Sequence, residues 1–323
     1  MLKCWVDFYP AFFLDNTMSK TLSEVTEFQS DNLQRFIFDN APVRGEWVHM
    51  TESWQHIISR REYPKAIQNL LGEMMAAAAL LTATVKIKGR LVLQVKSSGP
   101  ATLLMVECTS NNTLRAFAQW QGQVADDASL TEITGEGALA ITIDVEGSKQ
   151  PYQGVVGLQG ESISDVLETY FKQSEQLETH IWLAADEHAV AGLFLQQLPS
   201  ENSNKQDEEE AWSRLSQLAA TVSKKELLEL GAGTLLHRLF HEEECRLLSI
   251  TELEFACNCS REKVGETISL LGEHDANDLL TEQGVIEVAC EFCNEHYQFN
   301  ARDIKQIFSG RSSATSSEPK TLH

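Results

Sequence analysis

Cys257-Asn258-Cys259 and Cys290-Glu291-Phe292-Cys293 enclose the stretch that determines how the C-terminal part of this chain folds. Four of the 7 cysteines of the chain fall into these two tight pairs. Zinc prefers four soft ligands in a tetrahedron, and two cysteine pairs can supply all of them. Two pairs at this separation are a far more specific signal than a single CxxC motif. The sequence therefore predicts a zinc site with the ligands Cys257, Cys259, Cys290 and Cys293.

The first pair is unusual because a single residue, Asn258, separates its cysteines. Paired zinc ligands are typically two to four residues apart. A disulfide between Cys257 and Cys259 would close a small ring against the preferred Cα separation and dihedral angle, so it would be strained. Strained, exposed disulfides are the labile, regulatory kind. We interpret the first pair as metal ligands that can also act as a redox switch, and a purely structural zinc clip remains the alternative.

Composition limits the class of protein. The chain has 323 residues, of which 42% are hydrophobic and 23% charged, and this is typical of a globular protein with room for two domains. A net charge of -21 argues against a surface that binds nucleic-acid phosphates or anionic lipid, so neither nucleic acid nor membrane is expected as a partner. No apolar segment is expected to reach the roughly 18 to 20 residues of a membrane span, and Met74–Thr84 is the longest candidate.

The other cysteines, Cys4, Cys108 and Cys245, are isolated from one another along the chain. An extracellular disulfide scaffold would be denser in cysteine and would usually contain an even number. Paired thiols with scattered single ones therefore indicate a reducing cytoplasm. Each single cysteine is interpreted as a small buried hydrophobe or a bystander.

The sequence predicts an α+β fold in several parts: a core domain with an antiparallel sheet and packed helices, a helical linker, and a small zinc-binding domain. An extension outside the core precedes these parts, and a disordered tail rich in Gly, Ser, Thr and Pro follows them. Met18 could equally serve as the natural start of the chain. The expected bounds, from the N-terminus onward, are 1–30, 31–199, 200–250, 251–308 and 309–323.

The core domain begins with a structured stretch over 32–49 that has strand-like apolar positions, and helices and then further strands follow it. Thr51 or Ser53 is expected to cap a first helix, and Pro64 to occupy the first position of a second helix over 65–81. Apolar residues nearly all round predict that this second helix is buried on several sides. The apolar period then changes to two, which predicts antiparallel strands, with an amphipathic helix from Ser162 to about Leu177. The strands are expected at 90–96, 103–108, 114–120, 138–145, 154–158, 179–184 and 190–198.

The linker carries a helical apolar pattern over 211–244 that is interrupted at Gly231-Ala232-Gly233. Each of these two glycines lowers helix stability by about 1 kcal/mol relative to alanine. The segment could therefore be helical only while another part of the protein holds it. An ordinary helical connector fits the pattern equally well.

The second cysteine pair is expected to lie in a turn. Residues 285–288 are apolar and strand-like and lead directly into Cys290, and Tyr297 and Phe299 alternate as a returning strand. This predicts a hairpin turn for Cys290–Cys293, which is typical of a metal knuckle. A thioredoxin-type CxxC would instead lie at a helix N-terminus inside a βαβ unit.

Ser260 and Asp275 are expected to cap the two helices between the cysteine pairs. His296 is a less favoured alternative ligand, because four cysteines already complete a tetrahedron. His237 and His241 are four residues apart on a helix and could bind a metal. Without an HExxH order they are interpreted as surface or packing residues.

Several long blocks of this sequence match a known family. They are Gly89–Val95, Gly135–Thr142, Tyr152–Val156, Tyr170–Gln176, Cys257–Arg261 and Gly284–Cys293. On these blocks the chain resembles the redox-regulated 33-kilodalton heat-shock chaperones over roughly Asp31–Phe308. The first 20 or so residues and the tail fall outside the resemblance.

The resemblance implies a cytoplasmic holdase that needs no ATP and is not an enzyme. It implies one zinc ion per chain in the reduced, inactive, monomeric state, bound by all four cysteines as thiolates. On oxidation the disulfides would be Cys257–Cys259 and Cys290–Cys293. Zinc would be released, and the small domain and the linker would unfold. Unfolding client proteins would then bind, and the chain would form a homodimer.

Two other classes of function fit the sequence less well. A thiol-disulfide oxidoreductase using Cys290 and Cys293 is disfavoured by the hairpin context. A zinc-ribbon nucleic-acid binder is disfavoured by the net charge of -21. The sequence does not reveal the physiological oxidant, the clients or the surface that binds them.

Overall fold

The computed structural model describes residues 31–85, 88–199 and 205–312. The expected N-terminal extension lies outside the described residues, as does the tail beyond Ser312. Two compact units divide between Ala256 and Cys257. The α+β prediction is confirmed, with antiparallel sheets and packed helices in the first unit and a small cysteine-containing second unit.

A five-stranded antiparallel sheet forms one layer of the first unit. Its strand order is β10-β1-β2-β9-β8. Gly45 lies on β2 directly opposite Phe36, and a Cβ atom there would stand 2.1 Å from that ring, so only glycine fits. The strands are β1 (Asn32–Phe38), β2 (Val43–Met50), β8 (Thr179–Ala185), β9 (Val190–Gln197) and β10 (Cys245–Glu252).

A six-stranded sheet with the order β11-β5-β4-β3-β6-β7 forms the second layer. All its pairs are antiparallel except β11 with β5, which is parallel. The period-two pattern predicted β3 to β7, but it did not predict β11. The strands are β3 (Gly89–Ser97), β4 (Ala101–Thr109), β5 (Thr113–Trp120), β6 (Gly137–Val145), β7 (Tyr152–Gly157) and β11 (Glu254–Phe255).

Helix α2 (Lys65–Thr84) follows the short helix α1 (Glu52–Ile58) and contacts strands of both sheets. It is buried on several sides, as predicted, and Met74, Met75 and the alanines after them are 2% exposed or less. Pro64 is the N-cap rather than the first helical residue, because its ψ of 139° is extended. The helix has the length and apolarity of a membrane span, contrary to expectation, but 78% of its most apolar window is buried inside the protein.

The predicted helix at 162–177 is shorter and less regular than expected. Helix α4 (Ile163–Tyr170) ends in a π-helical turn (Phe171–Glu175), and Gln176 then adopts a left-handed conformation with φ of 56°. Glu175 accepts hydrogen bonds from two tyrosine hydroxyls there, which orders the turn. A short helix α3 (Leu130–Thr134), which was not predicted, precedes β6.

The expected linker contains three helices and most of a strand. Helices α5 (Lys205–Ala219), α6 (Lys224–Glu229) and α7 (Ala232–Phe240) pack on the face of the five-stranded sheet opposite α2. Besides the predicted interruption at Gly231, the helices are broken before Ser223, whose side chain forms a capping box with Glu226. The Ser-x-x-Glu pattern was the available signal. The expected boundary at residue 250 falls inside β10, because that strand pairs with β1.

The second unit consists of three helices and the hairpin β12 (Ile286–Ala289) and β13 (His296–Phe299). Its helices are α8 (Arg261–Leu271), α9 (Glu273–Gln283) and α10 (Ala301–Ser312). Gly272, not Asp275, is the N-cap of α9, and Asp275 lies in its first turn. Helix α10 was not predicted and continues past the expected start of the tail at residue 309. The buried apolar core of this unit is small: Ile268, Ala276, Ile286, Phe299 and Ile304.

Asp31 organises the start of the first unit. Its carboxylate accepts backbone hydrogen bonds from Thr51 (2.6 Å), Glu52 (2.9 Å) and Ser53 (2.6 Å), and so caps α1 from outside the helix. Thr51 is the N-cap of α1, but its side chain makes no capping hydrogen bond. The carboxylate of Asp31 accepts the N–H groups at the start of the helix instead. The carbonyl oxygen of Asp31 also accepts the backbone N–H of Leu253 at 2.7 Å. One residue thus connects β1, α1 and the segment that leads to the cysteines.

We expect the Asp31→Ala substitution to lower the free energy of unfolding by about 2 kcal/mol, because it leaves buried N–H groups at the start of α1 without their acceptor. Urea denaturation followed by tryptophan fluorescence measures this. Ser129→Ala is the matched control, since it removes an exposed cap of α3 and should cost about 1 kcal/mol or less. Equal losses in the two variants would show that the three bonds to Asp31 are not a special anchor.

Candidate metal centre

The first cysteine pair lies between strand β11 and helix α8. Ser260 follows Cys259 directly and is the N-cap of α8, as predicted, with its Oγ accepting the backbone N–H of Lys263 at 3.3 Å. The Lys263 ammonium donates to the carbonyl oxygen of Asn258 at 2.7 Å, which holds the residue between the cysteines. A helix N-terminus and a lysine next to the pair both favour negatively charged thiolates.

The second pair lies in the turn of the β12–β13 hairpin, as predicted. Ala289, the last residue of β12, is paired with His296, the first residue of β13. Within the turn, the Cys290 N–H donates to the Glu295 carbonyl at 2.9 Å, and the Asn294 N–H donates to the Cys290 carbonyl at 2.8 Å. Asn294 adopts a φ of 54°, a left-handed conformation that asparagine tolerates better than most residues. The turn therefore presents both thiols from a tightly bonded loop.

The structure brings the four predicted ligands together. Their sulfur atoms all lie within 4.8 Å of one another. The Sγ atoms of Cys257 and Cys290 are 3.7 Å apart, and those of Cys259 and Cys293 are 3.3 Å apart. Four sulfurs around a zinc ion at about 2.3 Å would be roughly 3.8 Å from each other in a tetrahedron. The spacing and the soft donor set fit a single tetrahedral cation.

Tyr297 is a member of this site that sequence reasoning missed. Its hydroxyl group donates a hydrogen bond to Cys259 Sγ at 3.1 Å. Burial raises the pKa of Cys259, but the hydrogen bond from Tyr297 and those of the other thiols outweigh it, so the net pKa is lowered. The same bond raises the pKa of Tyr297. The pattern of β13 showed the strand but held no signal for this bond, which crosses from one cysteine pair to the other.

Two of the other thiols, Cys257 and Cys293, resist ionisation because their pKa values are raised. Burial raises the pKa of Cys293, although the backbone N–H of Glu295 opposes this shift. Burial also raises the pKa of Cys257, and the nearby Cys290 thiol adds to the effect. Four thiolates packed this closely would repel one another, and a bound dication reverses this by favouring the deprotonated form. Metal binding and thiolate formation are therefore coupled at this site.

The histidines do not join the cluster. His296 Nδ1 lies 3.1 Å from Glu287 Oε1 on the neighbouring strand. The ring centroids of His237 and His241 are 6.0 Å apart on α7, and neither residue belongs to a group with metal-ligand geometry among the described residues. The interpretation of these two histidines as surface or packing residues therefore stands.

The fold and the site together define an α+β protein whose second unit carries four clustered thiols that could hold a metal ion. A family model described as Hsp33 protein matches residues 31–300. A relative named 33 kDa chaperonin from Nitrosococcus oceani is 46% identical over 278 residues, covering 86% of this chain and 94% of the relative. Another of the same name from Ectopseudomonas mendocina is 46% identical over 294 residues, covering 90% and 99%.

A crystal structure of the 33 kDa chaperonin, the heat shock protein 33 homolog, from Thermotoga maritima has the same fold. Its TM-score is 0.75 at 22% identity, covering 88% of this chain and 100% of that one. The chain belongs to the Hsp33 family. The resemblance stated from the sequence blocks is therefore confirmed, and family membership supports a chaperone.

We expect the Tyr297→Phe variant to bind zinc about tenfold more weakly, because groups that hydrogen-bond to metal ligands commonly contribute that much to affinity. Competition with a chromogenic chelator measures this. Tyr152→Phe is the matched control, because it removes a tyrosine hydroxyl that hydrogen-bonds in the first unit and touches no cysteine. Equal zinc affinities for the two variants would contradict a role for the Tyr297 hydroxyl in metal binding.

Proposed function

We propose that this chain is an ATP-independent holdase chaperone that is inactive when reduced and zinc-bound and is activated by oxidation. The observation that carries the proposal is the cluster of four thiols within 4.8 Å of one another, in a unit with five buried apolar core residues. So small a core supplies little stability by itself. Loss of the metal–thiolate bonds would therefore unfold this unit.

Zinc suits the site better than other common cations, because four thiolates in a tetrahedron are its preferred structural environment. A structural zinc ion of this kind contributes about 10 to 16 kcal/mol of apparent folding free energy. One ion per chain would connect the start of α8 to the β12–β13 hairpin, since each element supplies two of the four ligands.

Oxidation would convert the four thiolates into two disulfides. We propose the pairs Cys257–Cys259 and Cys290–Cys293, which join cysteines that are neighbours in the sequence. Each pair loses two electrons, and one hydrogen peroxide molecule accepts them together with two protons to give two water molecules. The sulfur atoms of a disulfide no longer bind the cation as thiolates do, so both the metal and the stability that it supplies are lost.

Helices α5 to α7 are the next elements that we propose to open. Helix α6 has 6 residues and α7 has 9, which is too short for an isolated helix to be stable in water. They persist because they bury apolar side chains against the five-stranded sheet, where Phe240 lies edge-on to Phe38 with ring centroids 5.0 Å apart. The buried helix residues of this interface are Leu215, Ala219, Leu227, Ala232, Leu235, Leu236, Leu239 and Phe240.

Opening of these helices would expose apolar surface on both the helices and the sheet. Exposed apolar patches of this size bind other proteins or aggregate. We propose that unfolding clients bind there and that the oxidised chain forms a homodimer. The net charge of -21 would keep the opened protein in solution. In a reducing cytoplasm such a thiol switch would stay in its reduced, inactive state.

The test is light scattering of a client protein that unfolds on heating, without ATP. We expect suppression of aggregation by protein treated with peroxide at elevated temperature and none by the reduced, zinc-loaded protein. The Cys257→Ser, Cys259→Ser variant should lose tight zinc binding and normal redox control. The matched control Cys108→Ser changes a buried thiol of the first unit and should keep both. Equal activity of the wild-type protein in the two redox states would contradict redox control and assign the metal a purely structural role.

A further inference from the structure

One extended segment closes an edge of each sheet of the first unit. Strand β10 pairs with β1 at the edge of the five-stranded sheet, and β11 pairs with β5 at the edge of the six-stranded sheet. Only Leu253 separates the two strands. Burial alternates along this segment, with Leu253 7% exposed and Phe255 partly buried, whereas Glu252 and Glu254 are exposed. The segment therefore presents one apolar face to the unit, as a strand does.

The pairing of β11 with β5 has the form in which an extended peptide is bound at a sheet edge. It is parallel, unlike every other pair in the two sheets, and includes two residues of β5, Thr113 and Leu114. The Glu254 N–H donates to the Asn112 carbonyl and the Ala256 N–H donates to the Leu114 carbonyl, both at 3.1 Å. Main-chain bonds of this kind bind any extended polypeptide, while side-chain sites select its sequence.

A side-chain site for an aromatic residue accompanies this edge. The Phe255 ring stacks on His56 with ring centroids 5.8 Å apart and planes inclined by 20°. The Arg60 guanidinium carbon lies 5.1 Å from the centroid of the same ring, within the range of a cation–π contact. His56 lies in α1 and Arg60 follows this helix closely, so both partners lie outside the segment. The site is thus built from the first unit and occupied by Phe255.

The packing beneath the segment is incomplete. A cavity of about 90 Å³ is lined by Thr251 and Leu253 from the segment and by Leu33 and Cys108 from the unit. Along this cavity the segment does not contact the rest of the unit directly. Two residues after Phe255 the chain reaches Cys257, the first of the four thiols. Strand β11, which occupies the site, is therefore joined directly to the second unit, which we propose to unfold.

We propose that the β5 edge, with His56 and Arg60, binds extended segments of unfolding proteins, and that β11 occupies it in the reduced state. The segments selected would carry an aromatic residue at the position of Phe255 and an apolar residue two positions earlier. Unfolded chains expose such alternating patterns in extended form, whereas a helix cannot pair with a sheet edge. This proposal names a client site and rests on the proposed function.

A fluorescent peptide with the sequence Thr251–Ala256 tests the proposal by anisotropy against the full-length chain. We expect the oxidised protein to bind it and the reduced, zinc-loaded protein not to. A peptide carrying Phe255→Ala should bind the oxidised protein at least about tenfold more weakly. The Arg60→Met protein should lose a similar factor, and Arg60→Lys, which keeps a cation over the ring, should lose less.

The proposal is overturned if the oxidised wild-type protein leaves millimolar peptide unbound, or if Arg60→Met binds it as tightly as wild type. A full-length Phe255→Ala variant separates this failure from failure of the proposed function. Because it removes the ring that occupies the aromatic site, its reduced form should bind the peptide more tightly than reduced wild type while still holding zinc. If this variant binds the peptide but the wild-type protein suppresses no aggregation in either redox state, the redox-gated function is overturned. The proposed peptide site would then stand by itself.

Discussion

The burial of helix α2 between the two sheets is the packing interaction on which the first unit depends. Its alanines let strands of both sheets approach the helix closely, and its methionines and leucines fill the spaces that remain. The five-stranded sheet thereby has one face committed to a permanent core. Within the described residues, α5 to α7 cover its opposite face. If these helices open as proposed, the core around α2 would remain intact.

The two units differ in how they are held together. The first has an extensive apolar core, whereas the second has only five buried apolar core residues among those described, together with the four clustered thiols. Hydrophobic burial does not respond to oxidants, but thiolate coordination does. In the proposed mechanism an oxidant would therefore act first on the second unit. The chain connects Cys257 to the first unit through β11 and then β10. Unfolding that begins at Cys257 would therefore reach the pairing of these two strands first.

Local patterns predicted much of this structure, and contacts distant in sequence account for most of what they missed. Each correctly predicted feature depends on a few neighbouring residues: the two cysteine pairs, the cap at Ser260 and the alternation of β3 to β7. Strand β10 was assigned to the linker because its partner, β1, lies more than 200 residues earlier in the chain. The cap from Asp31 and the hydroxyl of Tyr297 also act across loops. Such contacts require the folded backbone to be known first.

The isolated cysteines show why oxidation would be confined to the cluster. Burial raises the pKa of Cys108 to about 12, and burial together with the charge of Asp39 raises that of Cys245 to about 12 as well. At neutral pH such thiols stay almost entirely protonated, whereas the thiolate is the form that attacks peroxide. Cys259, by contrast, has a lowered pKa, and a bound dication would keep all four clustered sulfurs deprotonated. Burial thus protects Cys108 and Cys245, so in the proposed mechanism an oxidant would react first at the four clustered thiols.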